Sequence, residues 1–252
     1  MSVPVIGMDA PTLFVLAVFL LAGLTKGIIG MGLPTIAMGL LVLVMPPVEA
    51  AMILIVPSLV TNVWQLVAGP DMRDLLRRLW TMMVAVVVGT FIGIWLLVGD
   101  PSGVAGGALG LALATYGFLG LFGRTFQVRE KHEIWASPTV GFVTGIITGA
   151  TGVFVIPAVP YLQSLGLAKD HLIQALGLSF TVSTLALAAA LYRHGGVEMS
   201  FATTSILALL ASLVGMHAGQ LLRNRLEPGA FRKVFFTGLL LLGLYTSHAA
   251  LT

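Results

Sequence analysis

The chain contains no cysteine, which excludes disulfides, thiolate metal sites and cysteine nucleophiles. Charge is nearly as scarce. Asp, Glu, Lys and Arg make up 9% of residues, against roughly 25% in soluble domains. No Gly-x-x-x-x-Gly-Lys-Ser/Thr stretch occurs, so there is no nucleotide-binding loop to drive a pump. There is no His-Glu-x-x-His helix or Gly-x-Ser-x-Gly elbow, and the five histidines are scattered, which speaks against an intramembrane hydrolase and for a protein that is not an enzyme. Every Asp and Glu falls at the end of an apolar run or in a loop, which weighs against a cation transporter built on buried carboxylates. The first apolar segment has no Lys or Arg before it, so it lacks the basic start of a cleavable signal peptide and reads as mature protein.

What is present is hydrocarbon. The 252 residues are 58% hydrophobic with a mean hydropathy of +1.02. No soluble core absorbs that much apolar surface, so the solvent must be lipid. The net charge of +3 comes from basic residues in short loops and is not a nucleic-acid signal. The expected partners are the lipid bilayer and a small anionic substrate. A homodimer stays open, and no cofactor or metal is called for.

The sequence predicts an all-α polytopic membrane protein with ten hydrophobic segments, five per half. Segment 1 is read from about Pro11 to Leu24, with Asp9 placed to cap it. A break follows at Lys26-Gly27-Ile28-Ile29-Gly30-Met31-Gly32-Leu33-Pro34. Segment 2 runs to about Met45, segment 3 from Val48 to about Ala68, segment 4 from Leu79 to Val98. Asp100-Pro101 opens segment 5. After a polar linker, 124–137, segment 6 covers Pro138 to Thr148, again short. Segment 7 runs from Gly152 to about Leu165, segment 8 from Asp170 to about Tyr192, and segment 9 from Met199 to about Leu222. Glu227-Pro228 opens segment 10. An acidic residue before proline is a helix-start signature.

The halves correspond in order. Ser58 matches Ser179 and Asn62 matches Ser183 at a shift of 121, Gly89 and Gly93 match Gly215 and Gly219 at 126, and Asp100-Pro101 matches Glu227-Pro228 at 127. An ordered series of this kind signals a repeat, so the division is 1–123, a linker at 124–137, and 138–252. The positive-inside rule sets the orientation. With an odd number of crossings per half, Arg73, Arg77, Arg78, Arg124, Arg129, Lys131, Lys169, Arg223, Arg225, Arg232 and Lys233 face the cytoplasm and only Arg193 faces out, 11 against 1; with one broken span per half the count is 7 against 5. The charges favour two inverted repeats, the first two segments of each short and broken, with both termini outside. They do not separate re-entrant hairpins from full crossings.

Broken segments at matching positions point to a transporter's binding site. Lys26 is the one charge well inside the membrane. A lysine there costs about 2.5–3.5 kcal/mol on insertion scales and usually faces protein or water; the alternative is snorkelling to the headgroups. Gly30 and Gly32 are read as the start of segment 2, and Gly149 and Gly152 as the start of segment 7. A half-helix that begins inside the membrane presents unpaired N–H groups and the positive dipole end. With Lys26 and the hydroxyls of Thr148 and Thr151, two such ends make a site for one small oxyanion. The alternative is that these glycines serve close helix packing. Ser58, Thr61, Asn62 and Gln65 share one helical face, and Ser179 and Ser183 repeat two of those positions. This stripe either lines a cavity or bonds helix to helix. Pro57 and Gly177 are expected to free backbone carbonyls nearby. The Gly89/Gly93 and Gly215/Gly219 pairs read as packing faces. His217 is either packed or a proton carrier, and Glu49 and Asp170 are read as helix-start charges.

The Lys26–Gly32 stretch, Pro46-Pro47-Val48-Glu49-Ala50 and the Gly145–Pro157 stretch together resemble the TauE/SafE family of sulfite-exporter-like membrane proteins, over about Leu20 to Tyr245. The resemblance implies passage of sulfite, thiosulfate or an organosulfonate across the bacterial inner membrane, often outward. On that basis the chain is expected to be a secondary transporter working by alternating access. The other reading is a passive small-anion channel with the same lining. Met31 between Gly30 and Gly32, and Thr148 and Thr151 around Gly149, depart from the family's commoner run of glycines.

Overall fold

Residues 10–99, 103–123, 127–194, 201–223 and 225–250 are described by a computed structural model; Asp9, Asp100-Pro101, Arg124 and Met199 lie outside them. Ten helices form among these residues: α1 (Ala10–Ile29), α2 (Leu33–Leu41), α3 (Pro47–Val67), α4 (Met72–Val98), α5 (Val104–Phe122), α6 (Glu130–Thr151), α7 (Ala158–Ser164), α8 (Lys169–Arg193), α9 (Ala202–Arg223) and α10 (Pro228–Ala249). Six of them, α1, α3, α4, α5, α8 and α9, are long and apolar enough to cross a membrane. The all-helical, multi-pass architecture is therefore as read from composition.

The helix boundaries correct the reading in instructive ways. Segments 1 and 6 are not short: α1 has 20 residues and α6 has 22. Lys26 is not in the break but in the last turn of α1. The helix ends where Gly30 adopts a left-handed φ of 79°, a conformation that carries little penalty only for glycine. The stretch read as a linker, 124–137, enters α6 from Glu130 onward, and Pro138 lies inside that helix. Arg78 of α4 holds this end by a bidentate pair to Glu133, at 2.8 and 2.6 Å. Only α2, with 9 residues, and α7, with 7, are short. Helix α4 starts earlier than read, because Asp71 caps it by accepting from the Asp74 N–H. Glu227 is the N-cap of α10, as the acidic-Pro pair suggested.

Glycine contacts set the packing. Gly23 and Gly27 of α1 lie against Ser212, Met216 and Gln220 of α9, so close that a Cβ on either would sit 2.1–2.2 Å from a backbone oxygen. Gly145 and Gly149 of α6 lie in the same way against Val86 and Thr90 of α4. From the other side, Gly215 and Gly219 meet Leu20 and Leu24, while Gly89 and Gly93 meet Phe142 and Ile146. Both pairs run parallel, since the contacts climb together along each helix. The α1–α9 interface is thus repeated, residue for residue, in α6–α4. In addition α3 packs on α8, and α5 packs antiparallel on α10 through Gly110 at Ser247 and Gly117 at Leu240. Such small-residue faces let backbones approach and gain dispersion where lipid supplies no hydrophobic drive.

The register is one residue longer than the sequence match. Gly30 and Gly152 are both left-handed ends, each donating to the carbonyl four residues back, Lys26 and Thr148 respectively. Asn62 bonds Thr184, 122 residues on. Asn62 therefore corresponds to Thr184 and Thr61 to Ser183. Helix α1 ends, and α6 begins, at the end of the bundle that gathers Arg73, Arg77, Arg78, Arg129, Lys131, Lys169, Arg223, Arg225, Arg232 and Lys233. Arg193 lies at the opposite end, over the Phe91 ring.

Candidate functional site

The end of α1 carries its lysine into the middle of the α3–α8–α9 cluster. Gly27 brings α1 against α9, which leaves the Lys26 stem no lipid route, and the residue is 4% exposed. Its ammonium donates to Thr61 Oγ1 at 3.0 Å and to Asn62 Oδ1. Among the described residues no carboxylate lies within ion-pairing distance of it. An ammonium has three N–H donors, so one is left for a further acceptor.

That ammonium stands at the head of a cavity of about 200 Å³. Gly27, Gly30, Thr61 and Gln65 form its inner walls, Met216 and Gln220 one flank, and Trp64 and Ile173 another. Asp170 of α8 and Arg223 of α9 line it as well. Asp170, Gln220 and Ala68 are exposed, so the cavity opens at the basic end of the bundle.

The amides around it have defined orientations. Gln65 Nε2 donates to two carbonyls, Gly30 and Ile173, both at 3.1 Å. A group facing two acceptors must be the NH₂. Gln65 thus ties the α1 break to α3 and α8. Asn62 Oδ1 takes the Lys26 proton while Nδ2 donates to Thr184 Oγ1 at 3.3 Å. Gln174 Nε2 donates to Leu66 O at 3.0 Å, and its oxygen accepts from the Asp71 N–H at 2.9 Å. Gly177 does not serve to free a carbonyl; it lets α8 touch α3, with a Cβ there falling 2.7 Å from Leu66 N.

The residues singled out in the sequence divide into three sets. Lys26, Gly30, Asn62 and Gln65 come together at the cavity, Asn62 by its bond to the lysine. Ser58, Ser179 and Ser183 are fully buried farther along α3 and α8, and their hydroxyls have no protein partner. Buried hydroxyls are rarely left so, and a free O–H can donate to an anion. The third set lies elsewhere. Gly32 caps α2 against Thr25 and Phe235. Gly149 is a packing glycine on α4, and Gly152 ends α6 beside Met38 instead of starting α7. Thr148 and Thr151 donate to Thr144 O and Ile147 O at 2.7 Å. Their protons are spent, so in this arrangement they offer an anion only lone pairs. The pair of opposed half-helix N-termini is not assembled, and the packing alternative holds for Gly149.

Asp170, Gln220 and Arg223 were missed. The available signal was the equal spacing of Gly23/Gly27 and Gly215/Gly219: pairing them places Gln220 and Arg223 beside the end of α1. His217 is exposed and does not line the cavity.

At the opposite end the corresponding residues are hydrocarbon. Gln65 corresponds to Leu187, Gln220 to Ile94 and Arg223 to Leu97, which are 1%, 0% and 5% exposed. Thr148 stands where Lys26 stands in the first half. The Lys26 crevice is open, while at the places of Gln65 and Gln220 the second half is closed by buried Leu187 and Ile94, and Leu97 lines a separate apolar-walled cavity at that end.

A family model described as "Sulfite exporter TauE/SafE" matches residues 15–246. Neither curated proteins nor solved structures give a match.

Proposed function

Because the chain belongs to the TauE/SafE sulfite exporter family, we propose that it is a secondary transporter moving a small sulfur-containing anion by alternating access, with Lys26 as the anion's anchor. The observation that carries this is the Lys26 ammonium, buried without a carboxylate at the head of an open cavity. A buried cation held only by neutral dipoles is short of one negative charge. A sulfonate or sulfite oxygen supplies it and takes the third N–H, a charge-assisted bond.

The anion enters from the basic end, which by the positive-inside rule is cytoplasmic. On this reading both termini are periplasmic and the membrane is the bacterial inner membrane. The repeats divide between α5 and α6, so that the second takes in α6 from Glu130 onward, and the duplicated α1–α9 and α6–α4 contacts support that division. Beyond Lys26 the path continues along Ser58, Ser179 and Ser183, whose free hydroxyls receive the anion in turn. In the second state the α6–α4 crevice opens and the α1–α9 crevice closes. Buried Leu187 and Ile94 interrupt the path at the places of Gln65 and Gln220, which favours this over a passive channel with a continuous pore.

The test is flux in proteoliposomes loaded with sulfite, thiosulfate or a sulfonate, with and without a pH gradient. Saturable movement that Lys26→Met abolishes and Lys26→Arg partly retains is the expected result. Undiminished flux in Lys26→Met refutes the anchor; no movement of any sulfur anion refutes the substrate class; single-channel currents without uphill accumulation refute alternating access.

A further inference from the structure

Three charged side chains line the cavity: Lys26 at its head, and Arg223 and Asp170 in its walls. They come from α1, α9 and α8; α3 and the turn after it contribute Thr61, Trp64, Gln65, Ala68 and Gly69, none of them titratable in the working range. Neither Asp170 nor Arg223 forms an ion pair with a described residue. The lining therefore carries two positive charges and one negative. One added negative charge brings the lining to neutrality, and a second is repelled by the Asp170 carboxylate with no further cation in the lining to offset it.

We infer that this cavity selects singly charged sulfur oxyanions over doubly charged ones, and that Asp170 sets the limit. This rests on the transport reading above and deepens it. Hydrogensulfite and simple sulfonates share the chemistry: an oxyanion head with one negative charge. Thiosulfate, sulfate and fully deprotonated sulfite carry two. Asp170 sits in the first turn of α8, where a carboxylate is already favoured by the helix dipole. That dipole role alone does not depend on what enters the cavity. Lining the cavity gives the carboxylate its second effect, repulsion of the second charge.

The experiment uses the full chain in proteoliposomes. Flux of methanesulfonate and of thiosulfate is compared in wild type, Asp170→Asn and Asp170→Glu. Wild type is expected to prefer methanesulfonate, Asp170→Glu to keep the preference, and Asp170→Asn to lower the ratio by about two- to fivefold, since the carboxylate removed is exposed at the cavity mouth and its repulsion is screened by water. The ratio does not move if Asp170 merely supports the helix. A second arm follows sulfite at constant total concentration as pH rises through neutrality, where hydrogensulfite loses its proton. Its flux relative to that of methanesulfonate should fall with the monoanion, and the methanesulfonate reference corrects for any titration of the protein. Wild type moving both charge classes alike, or an unchanged ratio in Asp170→Asn, overturns the inference and leaves the transport reading standing. Failure of every sulfur anion to move overturns both.

Discussion

Asn62→Leu is the most informative single substitution, because its effect depends on a charge it does not carry. Asn62 supplies one of the two oxygens that hold the Lys26 ammonium, and its NH₂ reaches Thr184. A hydrogen bond to a charged group contributes about 1.5–3 kcal/mol, and an interhelical bond between neutral side chains in a membrane about 0.6 kcal/mol. Asn62→Leu should therefore destabilise the protein by about 2–3.5 kcal/mol. Lys26→Met removes the buried charge, whose insertion cost is about 2.5–3.5 kcal/mol, and leaves Asn62 Oδ1 unpaired at about 1–3 kcal/mol. It should be close to neutral or stabilising. In the Lys26→Met background Asn62→Leu loses the Thr184 bond, about 0.6 kcal/mol, but also removes the unpaired Oδ1, so it should be neutral to stabilising. The coupling in the cycle should be about 2.5 kcal/mol or more, read by equilibrium unfolding in mixed micelles. Equal losses from Asn62→Leu in both backgrounds would refute the claim that the amide serves the ammonium.

Gly23→Val and Gly145→Val occupy corresponding places in the two repeated interfaces. Each should cost about 1–3 kcal/mol by overpacking, while Gly238→Ala, with nothing within 4 Å of its added methyl, should stabilise α10 by about 0.5–1 kcal/mol; the same unfolding assay reads all three. Topology is open to direct labelling, since the chain has no cysteine of its own. Single cysteines at Lys131 and Arg225 should react from the cytoplasmic face and one at Gly103 from the periplasmic face; the reverse pattern would invert the orientation. The Lys26 flux series and the Asp170 charge-selectivity series complete the set.

Much of this was legible in the chain. Composition alone required lipid as solvent, because apolar runs cover nearly its whole length and leave no charged face for water. The spacing of small residues and of acidic-Pro starts disclosed two halves, since duplicated packing faces leave duplicated glycines. The scarcity of charge made Lys26 conspicuous, and a lysine inside an apolar run always needs a partner. The sequence also placed Asn62 and Gln65 on one helical face, because that follows from 3.6-residue periodicity, and the tertiary packing turns that face toward Lys26.

The tertiary structure decided the rest. Local pattern could not tell a glycine that ends a helix from one that starts the next, nor either from one pressed against a neighbour. Gly30 and Gly152 turned out to be helix ends and Gly149 a packing contact, because the deciding atoms belong to other helices: Gln65 on Gly30, Thr90 and Ile94 on Gly149. The hydroxyls of Thr148 and Thr151 looked available until their protons were seen committed to the preceding turn. Asp170 and Arg223 are 53 positions apart in the chain and meet one cavity only because α1 pairs with α9 and α3 with α8. Which helices lie side by side is set by long-range packing, and the charge balance of the cavity follows from that packing.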